Sequence, residues 1–420
     1  MKVILSTGIG RLHLVRSSCY LLASGVDIYV IQGWVPACSD WVLTRIGKLI
    51  GHPRLAYGLR QRRPPELDGR IFAYAFPEIL HQVLVRLTRF SKSPRDAHWR
   101  MARLSWRFFG FRSREALHQA QIFHVRSGAG QGGAIRVAKA RGMKVLVDHS
   151  IAHPAFMEKH LRSSYERNGQ IFCMGPENPF WKLVVQDCLD ADVLLVNSDF
   201  VKRTFVDAGY DAARIRVACL GVRPDFFGLK NVYDTKERIK KGLPVRLLFT
   251  GGFGFRKGGE YVLEAMRILQ ERKINVELTV VGSYVEAKNL IARYQDDALR
   301  VKWIGHVPQD DLKGYLAAAD IYVFPSLAEG CASSGMEALA AGLCVVATEE
   351  SGFPIKDGVD GYLVVAGNAQ AIVDKVEKLI ENPDEIERMG RAAAKLIREN
   401  FTWEHYAAKV KAVYQEMLDA

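Results

Sequence analysis

Cysteine is scarce in this 420-residue chain, which has seven scattered cysteines and no Cys-x-x-Cys pair. An odd, scattered set argues against a disulfide framework or a zinc site and is typical of a reducing compartment. Long hydrophobic runs are also missing: no stretch of about 18 apolar residues occurs, so no membrane-spanning helix is predicted. The apolar start at residues 2–6 is too short for a signal peptide and predicts a first buried strand.

Acidic residues are in the minority, because 46 Asp and Glu stand against 58 Lys and Arg, a net charge of +12. This balance favours an anionic partner, which is a nucleic acid, a phosphate-bearing substrate or a membrane surface. The contents of 49% hydrophobic and 25% charged residues indicate a globular rather than a disordered chain. The length predicts two domains of roughly 200 residues each.

Short β-branched runs alternate with helical patterns through both halves of the chain. The predicted strands are residues 2–6, 27–31, 121–125, 144–147, 193–196, 246–250, 276–281, 301–304, 321–324 and 344–347. Strands that alternate with helices form parallel sheets with helices on both faces. The sequence therefore predicts an α/β protein with two doubly wound, Rossmann-like domains.

The domain boundary is predicted at the turn signal Arg223-Pro224-Asp225, after which the chain is polar and charged until a fresh strand begins. We expect an N-terminal domain at residues 1–222, a linker at 223–243 and a C-terminal domain at 244–401. The final segment begins an amphipathic helix, for which Thr402 is a plausible N-cap.

A basic and aromatic segment spans residues 86–114, in which Asp96 is the only acid. Its basic residues are Arg86, Arg89, Lys92, Arg95, Arg100, Arg103, Arg107, Arg112 and Arg114. Its large apolar residues are Leu87, Phe90, Trp99, Met101, Leu104, Trp106, Phe108, Phe109 and Phe111. This composition suits a helix in a membrane interface, and it equally suits a surface helix pair with one core-facing side. No nucleic-acid-binding module accompanies it, so nucleic acid is not expected as a partner.

A glycine-rich segment, Gly-Gly-Phe-Gly-Phe-Arg-Lys-Gly-Gly, follows the predicted strand 246–250. Glycines such as Gly252 and Gly254 let the backbone approach a ligand closely. Arg256 and Lys257 add two cations at the carboxyl edge of the sheet, where open α/β sheets bind ligands. The spacing fits neither a P-loop nor a convincing dinucleotide fingerprint. The alternative is a glycine-rich turn with two solvated cations.

Two glutamates, Glu329 and Glu337, follow another predicted strand and are separated by seven residues. A helix is predicted to begin near Ser334, and the amides at its N-terminus favour an anion such as a diphosphate. A carboxylate there can instead accept hydrogen bonds from the hydroxyls of a ribose. The alternative for Glu337 is a capping box with Ser334. Glu329 has no comparable local role and is the better functional candidate.

Together these segments resemble the retaining glycosyltransferases of the GT-B fold, particularly family GT4, the glycosyl transferases group 1. The two glutamates resemble the family's E-x7-E signature, and Arg256-Lys257-Gly258 resembles its diphosphate clamp. The match runs in order from about residue 193 to the end. Residues 197–202 and 215–217 resemble the family's inter-domain region, and residues 303–307 resemble the segment that borders the nucleobase. Residues 401–404 resemble the start of a helix that crosses back to the first domain.

The resemblance implies roles for individual residues. Arg256 and Lys257 would neutralise the donor diphosphate, Glu337 would bind the ribose, and Glu329 would orient the donor sugar. His149 matches the strand end from which the family places a His beside the anomeric centre, with His153 and His124 as weaker alternatives. The remaining donor-binding positions are Gly8, Gly10, Gly252, Gly254, Val307, Ser333, Ser334 and Gly335.

Two departures from the family pattern stand in this chain. Arg223 occupies a position where the family usually has Asp, and the small residues 331–335 replace bulkier ones between the two glutamates. Asp190-x-Asp192 mimics a metal-binding motif but is interpreted as a helix end. The resemblance requires neither a metal nor a cofactor, only a nucleotide-sugar co-substrate such as a UDP- or GDP-sugar.

The resulting expectation is a retaining glycosyltransferase of cell-envelope, exopolysaccharide or glycolipid biosynthesis, with a saccharide or lipid-linked acceptor. We expect it in the cytoplasm, with membrane-surface contact through residues 86–114. A non-catalytic sugar-nucleotide or polyanion-binding protein is an alternative, against which the intact Glu329, Arg256 and Lys257 argue. A sugar-nucleotide epimerase on the same fold is another, which the spacing of the glutamates does not support.

Overall fold

The computed structural model describes residues 1–10, 12–36, 45, 62–91, 94–294 and 299–420. In the first half the elements are β1 (Lys2–Ser6), α1 (Leu12–Ala23), β2 (Asp27–Gln32), β3 (Ile71–Ala73), α2 (Ala75–Leu87), α3 (Pro94–Ser113), β4 (Ile122–Arg126), α4 (Ala134–Ala140), β5 (Lys144–His149), α5 (Pro154–Arg167), α6 (Pro179–Asp190), β6 (Val193–Val196), α7 (Asp199–Asp207) and β7 (Ile215–Val217). In the second half they are α8 (Thr235–Lys240), β8 (Val245–Thr250), α9 (Gly259–Glu271), β9 (Val276–Val281), α10 (Lys288–Ala292), β10 (Val301–Gly305), α11 (Gln309–Ala318), β11 (Ile321–Phe324), α12 (Ser333–Ala341), β12 (Cys344–Thr348), β13 (Tyr362–Val364), α13 (Ala369–Glu381), α14 (Asp384–Asn400) and α15 (Trp403–Asp419).

The strands form two parallel sheets, one in each half of the chain. The first has the order β3-β2-β1-β4-β5-β6-β7 and the second the order β10-β9-β8-β11-β12-β13. The strand order changes direction at β1 and at β8, and open α/β sheets bind ligands beyond the carboxyl ends of such strands. The loop after β1 contains Gly8 and Gly10, and the loop after β8 contains Arg256 and Lys257. The predicted α/β class with two doubly wound sheets is confirmed.

All ten predicted strands are present, with ends that shift by no more than two residues. Within the described ranges, the structure has three further strands that were not predicted, namely β3, β7 and β13. Each has three residues and lies at the edge of its sheet. Three residues provide too little alternation for a recognisable pattern, so such strands depend on the neighbouring strand that they pair with.

The last helix returns to the first half of the chain. Trp403 of α15 stacks on Tyr20 of α1 with ring centroids 5.8 Å apart, and Tyr414 Oη lies 2.6 Å from Nδ1 of His124. Thr402 accepts a hydrogen bond from the amide of His405, so its predicted role as N-cap is confirmed. The exact domain limits stay a prediction, and the expected linker contains α8.

Direct contacts join the two halves of the chain. Tyr165 Oη on α5 donates to Glu286 Oε1 over 2.8 Å. Ser198 Oγ, the N-cap of α7, donates to the carbonyl oxygen of Gly330 over 2.6 Å. The described structure therefore places the carboxyl edges of the two sheets against each other. Asp190 ends α6, and Asp192 accepts from the amide of Val145, which confirms that this pair marks a helix end.

Candidate active site

Two glycines determine the path of the loop that follows β8. Gly251 has φ +109° and Gly258 has φ +76°, both in the region that glycine favours. A Cβ on Gly258 would lie 2.0 Å from the carbonyl oxygen of Pro325, so this position has no room for any side chain. The loop is thereby held against the segment that follows β11. This close approach brings the side chain of Arg256 to Glu329.

Arg256, Lys257 and Glu329 form one ion cluster. Nη1 of Arg256 lies 2.6 Å from Oε2 of Glu329 and donates to the carbonyl oxygen of Ala328 over 3.0 Å. Nζ of Lys257 lies 3.5 Å from the same Oε2 and 5.0 Å from the ring centroid of Phe324. The structure therefore brings together three side chains from two separate motifs of the sequence, with two cations against one carboxylate.

Burial and the neighbouring charges set the protonation of this cluster. Burial alone would raise the pKa of Glu329, but Arg256 and then Lys257 hold that pKa below its ordinary value. Burial lowers the pKa of Lys257, and Arg256 adds to this effect while Glu329 opposes it. A carboxylate held in its charged form leaves an excess of positive charge, which suits a diphosphate.

Glu337 does not form the capping box that the sequence suggested, so that alternative is wrong. Helix α12 begins at Ser333, and its N-cap Ala332 has no side chain that can cap. Glu337 is therefore too far along the helix to reach the N-cap amide. Ser334 Oγ instead accepts a hydrogen bond from Tyr322 Oη over 3.3 Å. Glu337 accepts from Gln309 Nε2 over 3.2 Å.

The carboxyl of Glu337 is subject to the charges of two arginines that line a cavity. Burial raises the pKa of Glu337 to about 7, against the opposing effects of Gln309, Arg223 and Arg16. Arg16 and Arg223 also line a cavity of about 710 Å³ between α1 and the segment after β7. Arg223, at the position where the family has Asp, forms an ion pair of 2.6 Å with Asp225. Gln309 carries no motif that could have marked it, because only the packing of α11 and α12 brings it to Glu337.

His149 is the last residue of β5 and is buried. Its Nδ1 lies 2.9 Å from Ser127 Oγ, and its Nε2 has no hydrogen-bond partner among the described residues. Burial, with a further effect of Arg126, lowers the pKa of His149 to about 3, so the ring is neutral. The next residue, Ser150, has its carbonyl oxygen 2.2 Å from where a Cβ on Gly330 would lie. The chain thus meets the loop of Glu329 one residue beyond His149.

The other two histidines have structural partners. His124 bonds to Tyr414 and is buried in the first half. His153 is the N-cap of α5, and its Nδ1 accepts a hydrogen bond from the amide of Ala155 over 3.2 Å. Burial lowers the pKa of each of these histidines to about 4. Nε2 of His124 also has no hydrogen-bond partner among the described residues, so partners alone do not single out His149. What distinguishes His149 is its place at the carboxyl end of β5, one residue before the contact with the Glu329 loop.

The predicted glycine positions divide into open and tightly packed ones. A Cβ on Gly10 or Gly252 would meet nothing within 4 Å, so both leave space for a ligand. A Cβ on Gly8 would lie 2.7 Å from the ring of Trp106, and one on Gly335 would lie 1.9 Å from Cζ of Phe353. Packing against Phe353 therefore explains why a small residue stands at position 335.

The remaining predicted donor-binding residues lie in three places, after β8, in α12 and after β10. A Cβ on Gly254 would lie 2.7 Å from Oε2 of Glu286, which makes this glycine a packing position. Ser333 is exposed in the first turn of α12, and Ser334 follows it. Val307 lies after β10 and packs against the core. These positions surround the carboxyl edge of the second sheet.

Two parallel sheets that meet at their carboxyl edges, with a cationic loop at the switch strand, define a protein of the GT-B architecture. The sequence model of the family described as glycosyl transferases group 1 matches residues 233–396 of this chain. This result confirms the resemblance that the two glutamates and the Arg-Lys-Gly loop indicated.

Curated relatives of this chain include two glycosyltransferases. The amylovoran biosynthesis glycosyltransferase AmsK of Erwinia amylovora is 31% identical over 54% of this chain and 56% of its own length. A D-inositol 3-phosphate glycosyltransferase of Corynebacterium diphtheriae is 27% identical over 69% of this chain and 75% of its own length. The chain therefore spans little more than half the length of the first of these relatives.

Solved structures with low identity share the complete fold. Sucrose-phosphate synthase from Thermosynechococcus elongatus matches with a TM-score of 0.68 at 17% identity, covering 100% of this chain and 99% of that one. HepE of Anabaena, in complex with UDP-glucose, matches with a TM-score of 0.64 at 15% identity, covering 99% of this chain and 100% of that one. At such identities the likeness concerns the fold alone.

Proposed function

We propose that this protein is a retaining glycosyltransferase that moves a sugar from a nucleoside-diphosphate sugar to an acceptor hydroxyl. The observation that carries the proposal is the ion cluster of Arg256, Lys257 and Glu329 at the carboxyl end of the switch strand β8. In this proposal residues 244–401 bind the donor. Residues 1–222, together with the helix at 402–420, bind the acceptor.

The donor site is assembled from three parts. Arg256 and Lys257 neutralise the diphosphate, and the N-terminus of α12 at Ser333 adds backbone amides. Glu337 accepts hydrogen bonds from the ribose, and Val307 borders the base. UDP is the first nucleotide to test, because HepE, which shares the fold, was crystallised with UDP-glucose.

The reaction needs stabilisation of the leaving diphosphate and of a sugar with oxocarbenium character. Arg256 and Lys257 stabilise the negative charge that develops on the leaving group. Glu329 contacts the donor sugar, and the neutral His149 offers Nε2 on the opposite side of the cleft. The leaving phosphate stays on the reacting face and accepts the proton of the acceptor hydroxyl, so the configuration is retained.

The acceptor is proposed to be a saccharide or a lipid-linked glycan of the cell envelope or of an exopolysaccharide. The name of AmsK places that relative in amylovoran biosynthesis, which favours a polysaccharide pathway. The cavity of about 710 Å³ beside Arg16 and Arg223 lies within the usual range for ligand pockets. Two of its lining residues, Arg16 and Arg223, act through their charges on the pKa of Glu337, which favours an acceptor position near the donor.

A thermal-shift screen against UDP, GDP, ADP and their common sugars tests the donor site. A ligand that binds only the folded protein raises its melting temperature by mass action. We expect one nucleotide to raise it, Lys257→Ala to abolish the rise, and the exposed control Lys395→Ala to leave it unchanged. If no nucleotide stabilises the folded protein while a polyanion such as heparin does, the donor-site proposal is wrong.

A further inference from the structure

Helix α2 presents a row of exposed apolar side chains. Phe76, Ile79, Val83 and Leu87 follow one another at intervals of three and four residues, which places them on one face of the helix. Leu104 and Phe111 of the neighbouring α3 are exposed as well. These six residues, here called the apolar face, are between 45% and 64% exposed. Globular proteins rarely leave so many large apolar side chains together in water.

The apolar face is continuous across the two helices. The ring of Phe108 on α3 lies 5.9 Å from that of Phe76 and 6.3 Å from that of Phe111. Other aromatic residues of the segment 86–114 point the opposite way, because Trp106 and Phe109 are buried. One side of the segment therefore packs in the core, as the interpretation as a surface helix pair requires. Another side is exposed, as a membrane-interface helix requires.

Arginines lie among the apolar residues of α3. Arg100, Arg103 and Arg107 are exposed, and they share one side of the helix with Leu104 and Phe111 by their spacing. None of the three forms an ion pair with another residue of the described ranges. Asp96 is exposed one turn earlier on the same helix. Lys92 and the side chain of Arg89 lie outside the described residues.

The combination of apolar and cationic groups selects the partner. An anionic bilayer offers headgroup phosphates to the arginines and, just below them, acyl chains to the apolar residues. A second copy of the chain, related by a twofold axis, would bring the same three arginines against each other, which like-charge repulsion disfavours. We propose that the apolar face, with Arg100, Arg103 and Arg107, is a docking surface for a bilayer that contains anionic lipids.

The docking surface is mechanically connected to the candidate site. Trp106, on the buried side of α3, is the residue that leaves no room for a side chain on Gly8. A Cβ on Gly110 would lie 1.7 Å from the carbonyl oxygen of Gln131, so α3 packs closely on the segment after β4. Docking through α2 and α3 therefore fixes the carboxyl edge of the first sheet relative to the bilayer. Among the described residues, no helix combines the length and the apolar content needed to cross that bilayer.

Vesicle flotation with the full chain tests the proposal. The experiment contains neither donor nor acceptor, so its result is independent of the proposed reaction. The probes are vesicles of phosphatidylcholine alone and of phosphatidylcholine with phosphatidylglycerol. We expect binding to the anionic vesicles, with roughly tenfold weaker partitioning for the triple variant Ile79→Ser, Val83→Ser, Leu87→Ser. The triple variant Arg100→Gln, Arg103→Gln, Arg107→Gln should weaken it by about fivefold per arginine at low salt.

A matched control removes three exposed valines of the second half, Val232→Ser, Val285→Ser and Val365→Ser, and should bind as the parent chain does. Melting temperatures measured beside flotation show that each variant is folded, which is expected because the exchanged side chains are exposed. The proposal is overturned if the parent chain ignores anionic vesicles, or if both surface variants bind them as well as the control. It is also overturned if the Ile79, Val83 and Leu87 substitutions dissociate a homodimer, since the face then binds a second copy.

Discussion

Sγ of Cys219 lies 3.9 Å from Sγ of Cys331, and the two thiols come from opposite halves of the chain. Cys331 stands two residues after Glu329, in the same loop. Gly330 between them meets Ser150 and Asn197 so closely that a Cβ would lie 2.2 Å from the carbonyl oxygen of Ser150. The loop that carries Glu329 is therefore held against the first sheet, and any opening of the cleft must separate the two thiols.

Oxidation should join these thiols. With diamide, Cys219 and Cys331 each lose a proton and an electron, diamide takes up both protons and both electrons to become the hydrazine, and a disulfide forms after a shift of about 2 Å. We expect the intact mass to fall by two hydrogens. Exchange of the donor requires the cleft to open and the disulfide prevents this opening, so turnover should fall until dithiothreitol reduces the bond. Cys219→Ser is the control that should resist both effects. Failure to cross-link, with both thiols still open to alkylation, would show that the halves do not rest in this arrangement.

Gly330→Ala tests the same contact without chemistry. The new methyl group would meet the carbonyl oxygen of Ser150 at 2.2 Å and Oδ1 of Asn197 at 2.6 Å, so the halves must move apart. We expect turnover to fall by roughly tenfold or more, because small misplacements of reacting groups are costly. Nucleotide binding should change little, since the contacts of Arg256 and Lys257 are untouched. Gly314→Ala on α11, where a Cβ meets nothing within 4 Å, is the control that should keep full activity.

Glu329→Gln removes the common partner of Arg256 and Lys257. We expect turnover to fall by roughly 10²–10³, because the proposed contact with the donor sugar is lost and the two cations are no longer positioned. The folded state should lose about 1–3 kcal/mol, the usual cost of a buried group left without its partner. Steady-state kinetics and thermal unfolding measure the two effects. The exchange Glu381→Gln, at an exposed residue, should change neither. Normal turnover in Glu329→Gln would remove this residue from the site.

The sequence predicted those parts of the site that local patterns encode. The strands, the glycine loop after β8 and the two glutamates are each recognisable within about ten residues, because hydrophobic periodicity and turn chemistry are local. The contact between Arg256 and Glu329 was not predictable from spacing, since it depends on how β8 and β11 pair. For the same reason Gln309 and the pair of Cys219 and Cys331 carried no signal.

The sequence also misplaced one feature. Ser334 and Glu337 have the spacing of a capping box, but α12 begins one residue earlier and Tyr322 takes Ser334 as its acceptor. A tertiary hydrogen bond here displaced a local one. The aromatic residues of α3 show a similar limit, because composition alone could not tell which of them, such as Phe109 or Phe111, the core would bury.

Glu337 should make donor binding depend on pH near neutrality. Burial raises its pKa to about 7, and the ionised carboxylate is the better acceptor for ribose hydroxyls. As pH falls below 7 the carboxyl becomes protonated, so the Kd for a UDP-sugar should rise by up to about tenfold per pH unit. Isothermal titration between pH 6 and pH 8, pH values that bracket the raised pKa, measures this slope. A UDP-sugar serves better than UDP because its diphosphate has no terminal group that titrates near pH 6.

The same pKa has a consequence for stability with a definite sign. A carboxyl whose pKa is raised in the folded state binds more protons there than in the unfolded chain between about pH 4.5 and 7. Its contribution to stability is therefore complete below pH 4.5 and is lost as pH rises through 7, by up to about 3 kcal/mol. Glu337→Gln keeps an acceptor for Gln309 but cannot ionise, so its stability relative to the parent chain should be greater at pH 8 than at pH 5. An unchanged pH slope of donor affinity in this variant would mean that another group controls it.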